Sequence, residues 1–365
     1  MVGPPRREDT EGVTPRPLSV QAESDLVRHC SDGLAVDGLR TQLLSSIRRL
    51  MPVDAAFFAT ADPETLLFTG GYAEDPLRGA TAEFLANEFG SEDVNKFATL
   101  ARSVSHVATL DVATRRVRAA SARSLDIMQP LGLGDELRMA LVTGGRCWGY
   151  LCLHRDSGEL GFTSSEVAVM TRVAPRIAYG LRQATLLHTR PGAAAVGAPG
   201  IVVLSEDLTV VAITAEAEHL LSLVDDDGRR GAGLPMVVYG VAHAAKTAGG
   251  EIGVSVAPAS SRVRALDGQW LSLHGSRLRG GDDDHRIAVV VEPGSAQAVM
   301  PVLLAGYGLS SREAQVATLV LRGESTLAIV DLLHISRHTV QDHLKVVFDK
   351  AGVRSRRELI GKLLV

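Results

Sequence analysis

The spacing of apolar positions changes along this chain, and each change marks an element. From Ser24 to Met51, Leu26, Leu39, Leu43, Leu44, Ile47 and Leu50 fall at helical spacing, interrupted near Gly33. Val53 to Thr60 is an apolar run of strand length, closed by a turn at Asp62-Pro63. Leu66 to Thr69 predicts a second strand leading into Gly70-Gly71, and helical sequence follows from Leu77 to Phe97. Arg138 to Thr143 and Cys147 to His154 flank Gly144-Gly145 and predict a hairpin. Thr163 and Glu166 form a capping box that opens a long helix to about Leu187. Val167, Met170, Val173, Ile177 and Leu181 make a stripe along it.

A Pro/Gly/Ala-rich stretch then reads as a linker. Beyond it, Gly200 to Leu204 and Thr209 to Thr214 predict paired strands, and Ala215 to Leu223 a helix. An acidic, Gly-rich loop and an Ala-rich helix precede two further strands, Gln269 to Arg277 and Arg286 to Val291. Val299 to Tyr307 leads to four short helices. Ser310 and Glu313 form a capping box for the first, and Gly323 stops it. Ser325 or Thr326 caps the second. A tight turn, Leu333-His334-Ile335, separates it from the third, which Ser336 caps and Gly352 ends. Ser355 and Glu358 form a capping box for the last, whose Leu359, Ile360, Leu363 and Leu364 lie close together. In the third helix Val340, Leu344 and Val347 form an apolar stripe, while Arg337, Gln341 and Lys345 repeat every four residues on another face.

Charge singles out that last segment. Residues 334–365 hold seven Lys/Arg (337, 345, 350, 354, 356, 357, 362) and three acids (342, 349, 358), a sum of +4, in a chain of formal charge −4. A local positive field on a capped helix pair joined by a short turn fits binding to double-stranded DNA. An aromatic fraction of 4% argues against stacking platforms for single strands or RNA. At 365 residues and 45% hydrophobic content, two or three domains with real cores are expected. Residues 1 to about 22 read as a disordered leader. Three cysteines without zinc spacing, and no apolar run approaching the ~20 residues needed to span a bilayer, point to the cytoplasm.

Residues 309 to 365 resemble a LuxR-type helix-turn-helix domain, through Leu309, Arg312, Glu313, Gly323, Ile329, Leu332, Ser336, Thr339, Val340, His343, Leu344, Gly352, Val353, Arg356 and Leu359. Thr339-Val340-Gln341-Asp342-His343-Leu344-Lys345 looks like a subgroup common in actinobacterial regulators. The chain departs from the family at Leu327-Ala328, where a charged pair is usual, and at Val330, where Ala is usual. The resemblance implies a sequence-specific transcriptional regulator whose third helix enters the major groove. It makes Gln341, Asp342 and Lys345 the base-facing candidates, chemically suited to adenine, cytosine and guanine edges. Ser336, Arg337, His338 and Thr339 become the phosphate candidates. It also implies a homodimer, with two surfaces on offer: the apolar stripe of the last helix and that of the helix after Thr163. RNA polymerase is a further candidate partner.

Residues 24 to 187, with their order of helix, strands, inserted helices, hairpin and closing helix, resemble a GAF domain, a module for ligand binding and dimerisation. The order after Gly200 resembles a PAS domain. The expected fold class is therefore α+β multidomain: a GAF-like antiparallel sheet with helices over 23–188, a linker over 189–199, a PAS-like α+β domain over 200–298, a connector over 299–308 and an all-α four-helix LuxR-type helix-turn-helix over 309–365. A small-molecule ligand of the GAF-like domain is an expected partner, and no cofactor is identified.

Enzymatic chemistry is thin. Gly132-Leu133-Gly134 lacks the third glycine of a dinucleotide site, and no phosphate-loop pattern occurs. His106, His154, His188, His219, His243, His274 and His285 are scattered, and no metal set is legible. Cys147 and Cys152, five apart on a strand, are expected to face opposite sides and are poor disulfide partners. Two rival readings remain at this level: an enzyme tethered by its C-terminal domain, and a protein-interaction module using the same helices.

Overall fold

The computed structural model describes residues 20–187, 197–224, 233–248, 259–278 and 285–364. Most of the expected leader, most of the linker and the acidic loop lie outside these residues. The first unit begins with α1 (Val20–His29), so the helix starts inside the segment expected to be leader, and continues into α2 (Val36–Leu50). The strands β1 (Ala55–Ala61), β2 (Phe68–Ala73), β3 (Val107–Thr109), β4 (Leu133–Thr143) and β5 (Arg146–Asp156) form one antiparallel sheet in the order β2-β1-β5-β4-β3. Between β2 and β3 lie α3 (Thr81–Gly90) and α4 (Phe97–Arg102). The short α5 (Leu110–Ala113) follows β3, and α6 (Ser164–Leu186) closes the unit.

Local signals place several of these elements. Gly144 and Gly145 both take positive φ (59° and 72°), the conformation that a two-residue hairpin turn between β4 and β5 demands. Thr163 and Glu166 exchange both bonds of the capping box at the start of α6. Three boundaries differ from the sequence reading. β2 starts at Phe68 and runs through Gly70-Gly71, because Leu66 turns with φ 64°. β4 starts five residues early, at Leu133. The helical stretch from Leu77 breaks between α3 and α4.

The sheet is covered on both faces. Ala56, Phe58, Leu151 and Leu153 pack under α1, α2 and α6, while Phe57, Ala59, Tyr150 and Cys152 pack under α3 and α4. The α6 stripe, Met170, Val173, Ile177 and Leu181, is at most 1% exposed and belongs to the first of these cores, with Val167 packed against it. It is not a free dimer surface. A bulge also corrects the cysteine reading. Leu141 pairs with Gly149 but Val142 with Cys147, which leaves Trp148 as the extra residue. The pleat slips by one, so Cys147 joins Tyr150 and Cys152 in the same cluster.

A second antiparallel sheet repeats the strand order of the first. It contains β6 (Gly200–Leu204), β7 (Val210–Ile213), β8 (Ser260–Arg264), β9 (Trp270–Leu278) and β10 (Arg286–Pro293), ordered β7-β6-β10-β9-β8. The polar sequence of β8, Ser-Ser-Arg-Val-Arg, gave no strand signal. α7 (Ala215–Ser222) and α8 (Met236–Ala248) cover one face.

The two units interlock. Met236 of α8 lies in the core of the first sheet, and Leu67 of the first unit lies in the core of the second. Gly71 makes room for this, since a Cβ there would stand 2.5 Å from the Met236 Cε. Asp62, with a fully buried side chain, accepts from the Arg262 backbone N–H and guanidinium at 3.1 Å each. α9 (Ala296–Gly306) then crosses to the last domain, comprising α10 (Ser311–Leu321), α11 (Thr326–Leu333), α12 (Arg337–Ala351) and α13 (Arg356–Leu364). The expected connector is thus a buried helix. Val299, Met300, Val302, Leu303 and Leu304 share one cluster with Val316, Val340 and Leu344, and Trp270 of β9 belongs to the same cluster.

Candidate nucleic-acid interface

α12 is a helix with two unlike faces. Ser336 caps it, its hydroxyl accepting from the Thr339 N–H at 3.1 Å and sharing a 2.9 Å hydrogen bond with the Thr339 hydroxyl. Gly352 ends it in the left-handed conformation. Val340, Leu344 and Val347, all 3% exposed or less, face α10 and α11. Arg337, Gln341 and Lys345 are exposed, and their side chains have no partner among the described residues. Eight residues separate Arg337 from Lys345, about 12 Å of helix axis, close to the width of a major groove.

The turn before α12 is fixed by backbone and side chain together. His334 takes the left-handed conformation (φ 53°, ψ 47°) as it ends α11. The Arg312 guanidinium donates to the Leu333 carbonyl at 2.6 Å, so α10 holds the turn in place. Ser325 caps α11. Ser310 and Glu313 make the capping box of α10, and the Glu313 carboxylate also takes the Lys350 ammonium at 2.6 Å, binding α10 to the end of α12. At α13 only half of the expected box forms. The Ser355 hydroxyl accepts from the Glu358 N–H, but the Glu358 carboxylate accepts from the Arg354 N–H instead.

Of the seven predicted site residues, Ser336, Arg337, His338, Gln341, Asp342 and Lys345 are exposed and Thr339 is half-buried. His338 and Asp342 approach each other at 3.5 Å across one turn of the helix. The seven cations divide. Lys350 holds Glu313 and the Gly308 carbonyl, Arg356 holds the Glu324 carbonyl and Thr326 hydroxyl, and Lys362 holds the Ala351 carbonyl. Arg337, Lys345, Arg354 and Arg357 are left with free side chains among the described residues. Leu359 and Leu363 of α13 are 0% and 4% exposed within their own domain, whereas Ile360 of the same expected dimer stripe is half-buried and the Leu364 side chain lies outside the described residues.

The first unit holds a buried ion network that the sequence did not reveal. Arg123 donates to Glu136 at 2.7 Å, and Arg138 approaches Glu88 at 2.9 Å and Glu136 at 3.4 Å, all these side chains being 3% exposed or less. The Arg138 guanidinium lies 3.9 Å over the Phe97 ring. Burial alone would push the Glu136 carboxyl up, but Arg123 and Arg138 outweigh it and hold the group well below the usual carboxylate range. Burial drives His154 down to about 4, against the pull of Glu136. Ligand atoms of Glu136, Cys152 and His154 lie within 4.8 Å of one another. They are nonetheless a poor cation site, because two guanidiniums already answer the carboxylate and burial keeps the Cys152 thiol protonated. Cys30, Cys147 and Cys152 are free and buried, and burial pushes Cys30 up to about 12 and Cys147 to about 11. Such thiols are poor redox sensors.

Residues 308–363 match the family model described as bacterial regulatory proteins, luxR family, and residues 38–181 match that of the GAF domain. No curated protein matches the chain. Among solved structures, the phycoerythrobilin-bound GAF domain from a cyanobacterial phytochrome is 16% identical, covers 47% of this chain and 100% of its own, and gives a TM-score of 0.34. Escherichia coli SdiA is 10% identical over 94% of this chain and 95% of its own, with a TM-score of 0.34. The chromophore-binding domain of an unusual bacteriophytochrome, RpBphP3 from R. palustris, is 11% identical over 44% of this chain and 58% of its own, with a TM-score of 0.29. At such scores none of the three likenesses bears on the function. No helix among the described residues is long and apolar enough to cross a membrane.

Proposed function

The chain joins a GAF domain to a LuxR-family regulatory domain, and from that pairing we propose a non-enzymatic transcription regulator that reads double-stranded DNA through α12. The observation that carries the reading is the division of that helix. Its apolar face is spent on the fold, and its opposite face presents Arg337, Gln341 and Lys345 with no partner among the described residues. Gln341, Asp342 and Lys345 meet base edges. Ser336, Arg337, His338 and Thr339 meet phosphate. The Ser336–Thr339 hydroxyl pair shares one hydrogen between its oxygens and keeps the other to donate.

The regulator works in the cytoplasm as a homodimer on paired half-sites, since a single short recognition helix gives a small interface. With the α6 stripe and the α13 residues Leu359 and Leu363 buried, the dimer uses another surface. Ile201, Val210 and Val211 of β6 and β7, 42–47% exposed, are large apolar side chains left open on the second sheet. That sheet's strand order supports its reading as a PAS-like unit. RNA polymerase is the partner through which bound regulator acts on transcription. A mobility-shift assay with competitor DNA tests the central reading. Retarded DNA that unrelated competitor displaces as readily as the cognate fragment would refute it. Light scattering with and without a palindromic fragment tests the dimer, and a Val211→Asp variant is expected to scatter as a monomer.

A further inference from the structure

A cleft of about 610 Å³ opens where the two sheet units and α9 meet. It lies on the α2–α6 side of the first sheet, away from the ion network of Glu136. Phe58, Tyr72 and Trp148 of the first unit form one wall, and Arg264 and Trp270 of the second unit, with Val302 of α9, form the other. The volume is in the range of small-molecule sites.

The polar groups of this cleft are unbalanced in one direction. Arg262 is answered by Asp62, and Arg40 by Asp37 at 2.6 Å. Arg264 is half-buried and donates only to the Ala184 and Leu187 carbonyls at the end of α6, with no carboxylate partner among the described residues. Burial lowers its pKa, the mark of a cation short of a counter-charge. Trp148 and Trp270 are 2% and 8% exposed, and neither indole N–H has an acceptor among the described residues. Guanidinium and indole are donors with no acceptor capacity, and a buried donor left unpaired is costly. What completes the set is a ligand that brings acceptor oxygens and negative charge. The aromatic rings of Phe58, Tyr72, Trp148 and Trp270 ask for a planar apolar body.

We propose that this interdomain cleft binds a small aromatic carboxylate, its carboxylate on Arg264 and the indole N–H groups, and that occupancy is relayed to the DNA-binding helices. The relay is short. Trp270 shares one apolar cluster with α9, Val316, Val340 and Leu344, and Arg264 holds the last carbonyls of α6. A ligand that moves either group moves the packing on which α12 rests. Only this relay depends on the DNA-binding reading.

Both tryptophans of the chain line the cleft, so intrinsic fluorescence reports on it directly. Cinnamate is the probe, with cinnamamide lacking the charge and acetate lacking the ring. Cinnamate is expected to change the emission saturably in the full-length protein, and cinnamamide and acetate to bind at least about tenfold more weakly. Arg264→Gln should weaken cinnamate about tenfold. Trp148→Phe and Trp270→Phe, which keep a ring and one reporter each, should weaken it severalfold. Equal affinity for cinnamamide, equal affinity in Arg264→Gln and both Trp variants, or no saturation at millimolar cinnamate would overturn the site. Cinnamate should also shift wild-type affinity for a DNA fragment selected from random sequence, without doing so in Arg264→Gln. Binding of cinnamate with unchanged DNA affinity would overturn the relay alone. Failure to select any DNA would count against the DNA-binding reading while the fluorescence result stood.

Discussion

Replacing Lys350 and Arg357 in parallel separates cations that hold the domain together from cations that meet phosphate. The basic segment counts both alike. In the structure Lys350 is bound to Glu313 at 2.6 Å, whereas the Arg357 side chain has no partner among the described residues. Each phosphate neutralised contributes about −0.9 to the slope of log affinity against log salt. If Lys345 reads a base, the free set leaves Arg337, Arg354 and Arg357 for phosphates, a slope of about −2.7 per bound domain. Affinity then falls roughly 40-fold per domain between about 50 and 200 mM salt. Were Lys350, Arg356 and Lys362 also on the DNA, the slope would be about −5.4 and the loss roughly 2,000-fold. Fluorescence anisotropy across a salt series gives the slope, and titration well above the dissociation constant gives the number of domains bound. Arg357→Ala should reduce the slope by about 0.9 per domain. Lys350→Ala should leave it unchanged and lower the unfolding free energy by about 0.5–1 kcal/mol, as for a partly exposed ion pair. A Lys350→Ala slope reduced as much as that of Arg357→Ala would refute the division.

Lys345→Ala should weaken specific binding by about 1–3 kcal/mol, and Gln341→Ala should erase preference at one base pair; anisotropy on singly substituted fragments reads both, and unchanged profiles would remove these residues from the interface. Glu136→Gln removes the carboxylate that Arg123 and Arg138 share, leaving these buried guanidiniums only Asp93 at 3.8 Å and Glu88 at 2.9 Å respectively. It should cost about 3–5 kcal/mol in urea unfolding, and a change under about 1 kcal/mol would mean the network contributes little. His154 and His243 are both held down to about 4 by burial, with Lys246 and Lys96 adding to the shift at His243. The unfolded chain, with histidines near pKa 6.5, binds more protons than the folded one between about pH 4 and 6.5. Stability should therefore fall as pH drops through that window, and less steeply in a His243→Phe variant. A melting temperature that rises on acidification there would contradict the assignment.

The signals that read correctly from sequence are local ones. Ser310 with Glu313, Thr163 with Glu166, Ser336 and the Gly144-Gly145 turn each act within a few residues, so the chain states them outright. The α12 faces were legible for the same reason. What the chain does not state is what a stripe packs against. The apolar stripe of α6, and Leu359 and Leu363 of α13, looked like dimer surfaces until the fold covered them. One bulged residue, Trp148, reversed the facing of Cys147, and a period-2 pattern cannot show such a slip. The pairing of Asp62 with Arg262 bridges 200 residues, and no window of sequence contains both. The same holds for the cleft, whose donors come from β5, β8 and β9.

Leu67 and Met236 each sit in the core of the other's unit, and this swap sets how the chain can be divided. A cut between residues 188 and 196 looks harmless by composition. It would leave one fragment with a socket where Met236 belonged and the other with a socket for Leu67, each worth about 2–5 kcal/mol. It would also strip the buried Asp62 carboxylate of its guanidinium, worth about 3–5 kcal/mol more. Those losses rival the entire stability of an ordinary domain, about 5–15 kcal/mol. The two sheet units are thus separate as hydrogen-bonded sheets but single as a folding unit. They should melt in one transition, and in any recombination of such regulators they would have to travel together.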